Sequence, residues 1–149
     1  MRATMPLAPD SKKDVAALRR GAREALATSL SFAPANPYVW IRLTLLSEQD
    51  GDPPEKSLSY WRYSVVTGPQ EDRIRFIRTT LGLPLWSYMD VKDRESLFED
   101  IRNDFVPQSS EFVTLARDPF ARAVIRSALI TDLPKLKRFE MELAHELGS

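Results

Sequence analysis

The sequence predicts an all-α protein of stacked antiparallel helical hairpins. Three observations support this fold class. Apolar residues recur with a helical period in almost every segment, and no run of alternating β-branched residues bounded by tight turns is present. Proline and glycine divide the 149 residues into about eight segments with short connections, as is typical of antiparallel neighbours. A pattern of small and large residues also recurs at a fixed offset.

Each predicted helix has a start signal, usually a capping residue or a proline that fits the first turn. The starts are, in chain order, Ser11, Pro37, the end of the Asp50–Pro53 turn, Glu71, Asp90, Ser109 or Ser110, Asp118 and Asp132. Proline also ends several helices because it cannot continue the hydrogen-bond ladder. Gly82 and Pro84 interrupt the fourth helix, so we expect a kink or break before Leu85-Trp86.

Apolar stripes predict which face each helix buries. The stripe of the first helix includes Val15, Leu18, Ala22, Ala25 and Leu26, and that of the fourth is Ile74, Ile77 and Leu81, with Phe76 to one side. The last helix is amphipathic through Leu136, Phe139, Leu143 and Leu147. Aromatic side chains bury large areas, so we interpret Trp40, Trp61 and Trp86 as core residues rather than ligand-stacking ones.

An internal repeat is the most informative feature of the sequence. Ala22, Leu26, Ser29 and Pro34 are followed, each 35 residues later, by Ser57, Trp61, Ser64 and Pro69. The small residue lets two helices approach closely, the large apolar residue fills the groove beside that contact, and the proline stops the helix. The Pro37–Gln49 helix lies between the two copies, so the repeating unit is a helical hairpin.

This repeat resembles the tetratricopeptide family. That family has a period of about 34 residues with the pattern Trp-x2-Leu-Gly-x2-Tyr, Ala-x3-Phe and Pro. The chain has Trp40-x2-Leu43, then Ser57-x3-Trp61, then Pro69, whereas Thr44 and Ser47 replace the glycine and the tyrosine. The resemblance covers roughly residues 14–88 and fades after Asp90. An irregular helical bundle is the alternative architecture.

The resemblance implies a right-handed solenoid fragment with C-terminal capping helices in one domain, 1–149. We expect residues 1–10 to be flexible, residues 11–88 to form the hairpins, and residues 89–149 to form a divergent third hairpin and the C-terminal helices. The chain also resembles small bacterial tetratricopeptide-like proteins that accompany envelope polysaccharide genes. That likeness implies a bacterial source and a link to envelope polysaccharide assembly.

The resemblance further implies a non-catalytic interaction or scaffold module that binds a protein or peptide, or self-associates. In tetratricopeptide arrays the first helices of successive hairpins line a concave groove. The implied groove residues are Tyr38, Arg42, Leu45, Arg75 and Arg78. Arginine forks match the carboxylate of an acidic or C-terminal ligand. The alternative role of these arginines is solubility, with exposed ion pairs to Glu71 and Asp72.

Composition narrows the function classes. Lys plus Arg and Asp plus Glu are each 21, so the formal net charge is zero and no nucleic-acid partner is expected; a contact through the arginines is kept as a third hypothesis. The chain has no cysteine and one histidine, His145, so we expect no catalytic residue, no cofactor and no metal. No apolar run is long enough to span a membrane.

The compartment is left open by the sequence. The segment from Met1 to Asp10 lacks the apolar core of a signal peptide. A cysteine-free chain is compatible with the cytoplasm and, if a leader or anchor was removed, with the periplasm.

One acidic cluster supports an alternative function. Glu95, Glu99 and Asp100 lie on the predicted fifth helix, with Asp90 and Asp93 near its start. Paired acids perform acid–base chemistry or bind metals, so the alternative is an irregular helical-bundle enzyme or small-molecule binder that uses this cluster. A solvated helix face with N-terminal capping is the simpler interpretation. The enzyme hypothesis predicts several acids converging in one deep cavity.

Overall fold

The computed structural model describes residues 8–32 and 35–148. Its α-helices are α1 (Ala8–Phe32), α2 (Pro37–Gln49), α3 (Pro54–Thr67), α4 (Asp72–Gly82), α5 (Val91–Asp104), α6 (Ser109–Leu115), α7 (Pro119–Leu129) and α8 (Leu133–Gly148). A 3-10 helix (Leu83–Tyr88) lies between α4 and α5. No β-strand occurs in the described ranges, so the all-α class is confirmed.

Local signals placed most helix starts correctly. Asp90 and Asp93 form a reciprocal capping box at the start of α5, with hydrogen bonds of 2.8 and 3.1 Å. The Asp118 side chain accepts a hydrogen bond from the Ala121 N–H and caps α7, as the sequence predicts. These caps act through bonds within three residues, so the sequence alone is enough to find them.

Two predicted helix caps are wrong. α1 begins at Ala8, so Ser11 lies inside the helix and does not cap it. Residues 8–10, expected to be flexible, therefore belong to α1, and residues 1–7 of that prediction lie outside the described residues. Neither Ser109 nor Ser110 caps α6, because the cap position is Gln108 and its side chain makes no capping bond.

The predicted break after the fourth helix is confirmed. α4 ends at Gly82 and the 3-10 helix follows, with Pro84 in its first turn. A Cβ atom at Gly82 would lie 2.9 Å from Nε1 of Trp61, so only glycine allows α4 to pass this close to α3. The Trp61 ring is fully buried there and donates a 2.8 Å hydrogen bond to the Arg78 carbonyl.

α2 and α3 form an antiparallel hairpin with the most extensive helix contact in the molecule. The turn between them uses Gly51 in the left-handed region, at φ 72°, where a side chain would be strained. Buried Ser47 and Ser57 face each other across the pair with their hydroxyl oxygens 2.8 Å apart. Small polar residues therefore let the two helix backbones approach closely.

The core runs from this hairpin into the second half of the chain. α5 is the central helix, because it packs against α4 on one side and α7 on the other, and Leu97, Ile101 and Phe105 are fully buried. α8 covers α6 and α7 through buried Phe139 and Leu143. In contrast, α1 packs chiefly against α2 and contributes no described residue to the buried core.

Candidate interaction surface

Three of the five predicted groove residues lie on one side of α2. Tyr38 and Arg42 are one helical turn apart and exposed, and Leu45 follows, half-buried against the core. Tyr38 is 37% exposed, so its ring is available to a partner. Within the described ranges no carboxylate pairs with Arg42, so its guanidinium is free to bind an anion.

Tyr38 connects this side of α2 to the start of α4. Partial burial, followed by a hydrogen bond to the Glu71 carboxylate, raises the pKa of Tyr38, while the neighbouring Arg73 guanidinium opposes that rise. Glu71 also caps α4 by accepting from the Arg73 N–H. α2 and α4 also pack against each other, so the two helices lie side by side.

Arg78 does not line a groove, contrary to the prediction. Its side chain is fully buried and donates to both carboxylate oxygens of Asp100, at 2.7 and 2.9 Å. The same guanidinium donates to the carbonyls of Ser64 and Gly68 at the end of α3. Burial raises the pKa of Asp100, and the Arg78 guanidinium opposes that rise. Arg78 therefore ties α3, α4 and α5 together and is not available to a ligand.

Arg75 also turns inward. Its Nε lies 3.6 Å from Oδ1 of buried Asp104, and neither Arg75 Nε nor Asp104 Oδ2 has a hydrogen-bond partner in the described part of the chain. Burial raises the pKa of the Asp104 carboxyl, and the charge of Arg75 lowers it. This loosely paired side chain faces Asp104 at the end of α5, so Arg75 does not line the predicted groove.

Residues that the sequence did not indicate complete the surface. Ile77, predicted to be in the buried stripe of its helix, is 40% exposed, whereas Phe76 packs edge-on against Phe112 of the core. Between α4 and α6 lies an open groove of about 370 Å³. Its lining residues are Phe76, Thr80, Ser110, Glu111, Thr114 and Leu115. The spacing of Ser110 and Thr114, one turn apart, is the only sequence signal that could have located it.

We define the α2–α4–α6 surface as Tyr38, Arg42, Leu45, Arg73, Ile77, Thr80 and the groove residues just named. Its α2 end carries the free cation of Arg42, and its α6 end carries Glu111, so its charge is divided between two ends. Among its apolar residues, Ile77 is exposed, and Leu45, Phe76 and Leu115 are half-buried. The arrangement suits an extended or helical ligand with a carboxylate near one end.

A second, larger groove of about 740 Å³ lies between α1 and the α2–α3 hairpin. Trp40 and Tyr60 lie on the hairpin side, and Arg20 and Glu24 on the α1 side. Trp40 stacks on Tyr63 with centroids 4.5 Å apart and is half-buried. Trp86 is also half-buried, packed against Phe98 of α5 and under Arg94, so Trp61 alone of the tryptophans is fully buried.

The acids of the Asp90–Asp100 cluster do not converge in a cavity. Asp93 caps α5 and accepts three hydrogen bonds from Arg62, the shortest 2.7 Å, and Asp100 is bound by Arg78. Glu95 and Glu99 are exposed. Within the described residues no three or more His, Asp or Glu side chains are placed to hold a metal ion. The cluster joins α5 to α3 and α4 through ion pairs.

Glu48, in the last turn of α2, is an acid that the sequence did not single out. Its Oε2 is buried and finds no hydrogen-bond donor among the described residues. Burial raises the pKa of Glu48 to about 7. We therefore expect the charge at this position to change near neutral pH.

No helix within the described ranges combines the length and apolar character needed to cross a bilayer. Comparisons of the chain with protein-family models, with curated proteins and with solved structures found no match.

Proposed function

We propose that this protein is a non-catalytic interaction module whose α2–α4–α6 surface binds a peptide or helix of a partner protein. The observation that carries the proposal is that Tyr38, Arg42 and Ile77 are exposed on α2 and α4, two helices in contact, and that α4 also forms an open groove with α6. Tyrosine and arginine are among the residue types that dominate binding energy at protein interfaces.

A tetratricopeptide-like stacking of hairpins is part of this proposal. In support of it, α2 pairs with α3, α4 pairs with α5, and α2 also contacts α4, as expected when the first helices of successive hairpins lie side by side. The α6–α7 pair is a much weaker contact. α6 supplies the far wall of the groove.

The expected ligand is an extended or helical peptide with a carboxylate group that reaches Arg42. Apolar ligand side chains would pack on Ile77 and Leu115, and the carboxylate would accept from the guanidinium of Arg42. Glu111 at the α6 end disfavours a ligand that is acidic throughout. The charge distribution of the expected ligand is therefore complementary to that of the surface.

The test is selection of binders from a displayed library of random peptides with free C-terminal carboxylates. Affinities of selected peptides are then measured by fluorescence anisotropy for the wild type and for Arg42→Glu and Ile77→Glu. Lys92→Glu is the matched control, because Lys92 is an exposed cation on α5, outside the surface. We expect each surface variant to bind at least about tenfold more weakly, about 1.4 kcal/mol, and the control to bind normally.

Two results would contradict the proposal. Selection could enrich no peptide, or the selected peptides could bind all three variants equally. Because Arg42 is exposed and unpaired, Arg42→Glu should leave the free energy of unfolding within about 0.5 kcal/mol of the wild-type value. Loss of peptide binding by that variant is then a loss of contact, not of folding.

A further inference from the structure

α1 carries an apolar stripe that nothing in the described structure covers. Val15, Leu18, Ala22 and Ala25 follow the alternating three- and four-residue spacing that places them on one side of a helix. All four are exposed, Leu18 at 74% and Val15 at 45%. Exposed apolar residues are common singly, but an uncovered row on one helix indicates an interaction site.

Gly21, beside this stripe, is an independent sign of a close neighbour. A glycine inside a helix costs about 1 kcal/mol relative to alanine. The fold does not require it here, because a Cβ atom at Gly21 would have no other atom within 4 Å and its backbone φ is not positive. A second helix packed closely against this side of α1 would account for the missing side chain, as small residues permit close helix approach.

The matching part of α3 indicates what kind of element covers such a stripe. Ala22 and Ala25 correspond, at the 35-residue offset, to Ser57 and Tyr60. Ser57 is only 1% exposed and meets Ser47 of α2, and Tyr60 packs near Trp40 of α2 at 6.2 Å between ring centroids. In α3 this side is covered by an antiparallel helix, so the same kind of partner fits α1.

We propose that α1 pairs antiparallel with α1 of a second copy of this chain. When Leu18 of one copy faces Ala22 of the other, Val15 faces Ala25, so each large side chain meets a small one. In this register Ala8 lies opposite Phe32, so the helices overlap along their full length. A parallel pair would instead place Leu18 against Leu18. Because the stripe complements itself about a two-fold axis, one surface supplies both halves of the interface.

The charges of α1 do not oppose a second copy. Arg19 and Arg23 point to the other side of the helix and bind Asp50 and Asp52 of the same chain at 2.8–3.0 Å. No charged residue lies within the stripe between Leu18 and Ala25, so two copies meet without like-charge repulsion at its centre. No residue of the α2–α4–α6 surface lies on α1, so the proposal stands independently of peptide binding.

The experiment uses the natural absence of cysteine to place single cross-linking sites. Two copies of Ala22→Cys are offset by about 6 Å along the antiparallel axis, whereas two copies of Val15→Cys are about 15 Å apart. A short bismaleimide should therefore link Ala22→Cys to itself and Val15→Cys to Ala25→Cys in a mixture. It should not link Val15→Cys to itself.

Sedimentation velocity of the full chain measures the association itself. We expect a concentration-dependent dimer that Leu18→Glu weakens at least about tenfold, while Lys13→Glu, an exposed site on another side of α1, leaves it unchanged. Circular dichroism confirms that Leu18→Glu keeps its helix content. A monomer up to about 1 mM overturns the proposal. So does self-linking of Val15→Cys as efficient as that of Ala22→Cys, since it would mean a parallel pair.

Discussion

α1 and α3 carry the same pattern of small and large residues, but they are buried to very different degrees. In α3, Ser57, Trp61 and Ser64 are almost completely inaccessible to solvent. In α1, the equivalent Ala22 is exposed and Leu26 is half-buried. The difference shows that such a pattern predicts a helix able to pack, and that the presence of neighbours on both sides decides whether it does. α3 lies between α2 and α4, whereas α1 packs chiefly against α2.

The largest expected effect comes from truncating the matched apolar residues of the two helices. Trp61→Ala should lower the free energy of unfolding by about 4 kcal/mol, because it leaves a cavity over Gly82 and removes the bond to the Arg78 carbonyl. Leu26→Ala should cost about 1 kcal/mol, because Leu26 is half-buried. Urea unfolding of both variants measures the contrast. Equal losses would mean that α1 is as firmly packed as α3.

A second contrast concerns the ion pairs that hold each helix. Asp100→Asn leaves the Arg78 guanidinium buried without its carboxylate and should cost about 3 kcal/mol. Asp50→Asn removes the exposed partner of Arg19 and Arg23 and should cost less than about 1 kcal/mol.

Thermal unfolding at low and high salt separates the two cases. The Asp50 effect should shrink with added salt, because exposed charges are screened, and the Asp100 effect should persist. Should both respond equally to salt, the Arg78–Asp100 pair would have to be open to solvent.

The smallest expected effect concerns Glu48 of α2, the helix that packs against both α1 and α3. The folded pKa of Glu48 is about 7, above its ordinary value of 4.5, so the folded state holds a proton that the unfolded state has released. Stability should therefore be full below pH 4.5 and fall as the pH rises through 7. Glu48→Gln removes this loss and should be more stable than wild type by about 1 kcal/mol at pH 8, after allowance for partial exposure.

Urea unfolding of Glu48→Gln and wild type at pH 4 and pH 8 checks the sign. The two proteins should be closest in stability at pH 4 and furthest apart at pH 8. A gap that is the same at both values would mean that Glu48 ionises normally in the folded protein.

Helix ends were largely predictable because their signals act over a few residues. The side chains of Asp90 and Asp118 cap helices by accepting hydrogen bonds from backbone N–H groups three positions away. Gly82 and Pro84 end α4 through their own backbone properties, which do not depend on the neighbouring helices. The wrong start at Ser11 has a related cause. A serine is compatible with both a cap and a helix interior, and α1 continues through it.

The candidate site was predictable only in part. Tyr38, Arg42 and Leu45 lie together on α2 because helical spacing alone places them there. Arg78 and Ile77 exchanged the roles expected from their polarity: the arginine is buried and the isoleucine is 40% exposed. Sequence reasoning assigned the charged residue to solvent, since an unpaired buried charge is too costly. Asp100, two elements later in the chain, removes that cost.

The sequence by itself determined the all-α class, most helix boundaries and the close pairing of α2 with α3, because these follow from hydrogen bonds and side-chain spacing within one or two turns. The tertiary structure alone decided which side of α4 faces inward, because the Arg78–Asp100 pair and the approach of Trp61 to Gly82 join residues far apart in the chain. It also decided that the copy of the repeat on α3 lies in the core, whereas the apolar stripe of the copy on α1 remains exposed. Burial depends on what lies alongside a helix, and the residues of that helix do not encode its neighbours.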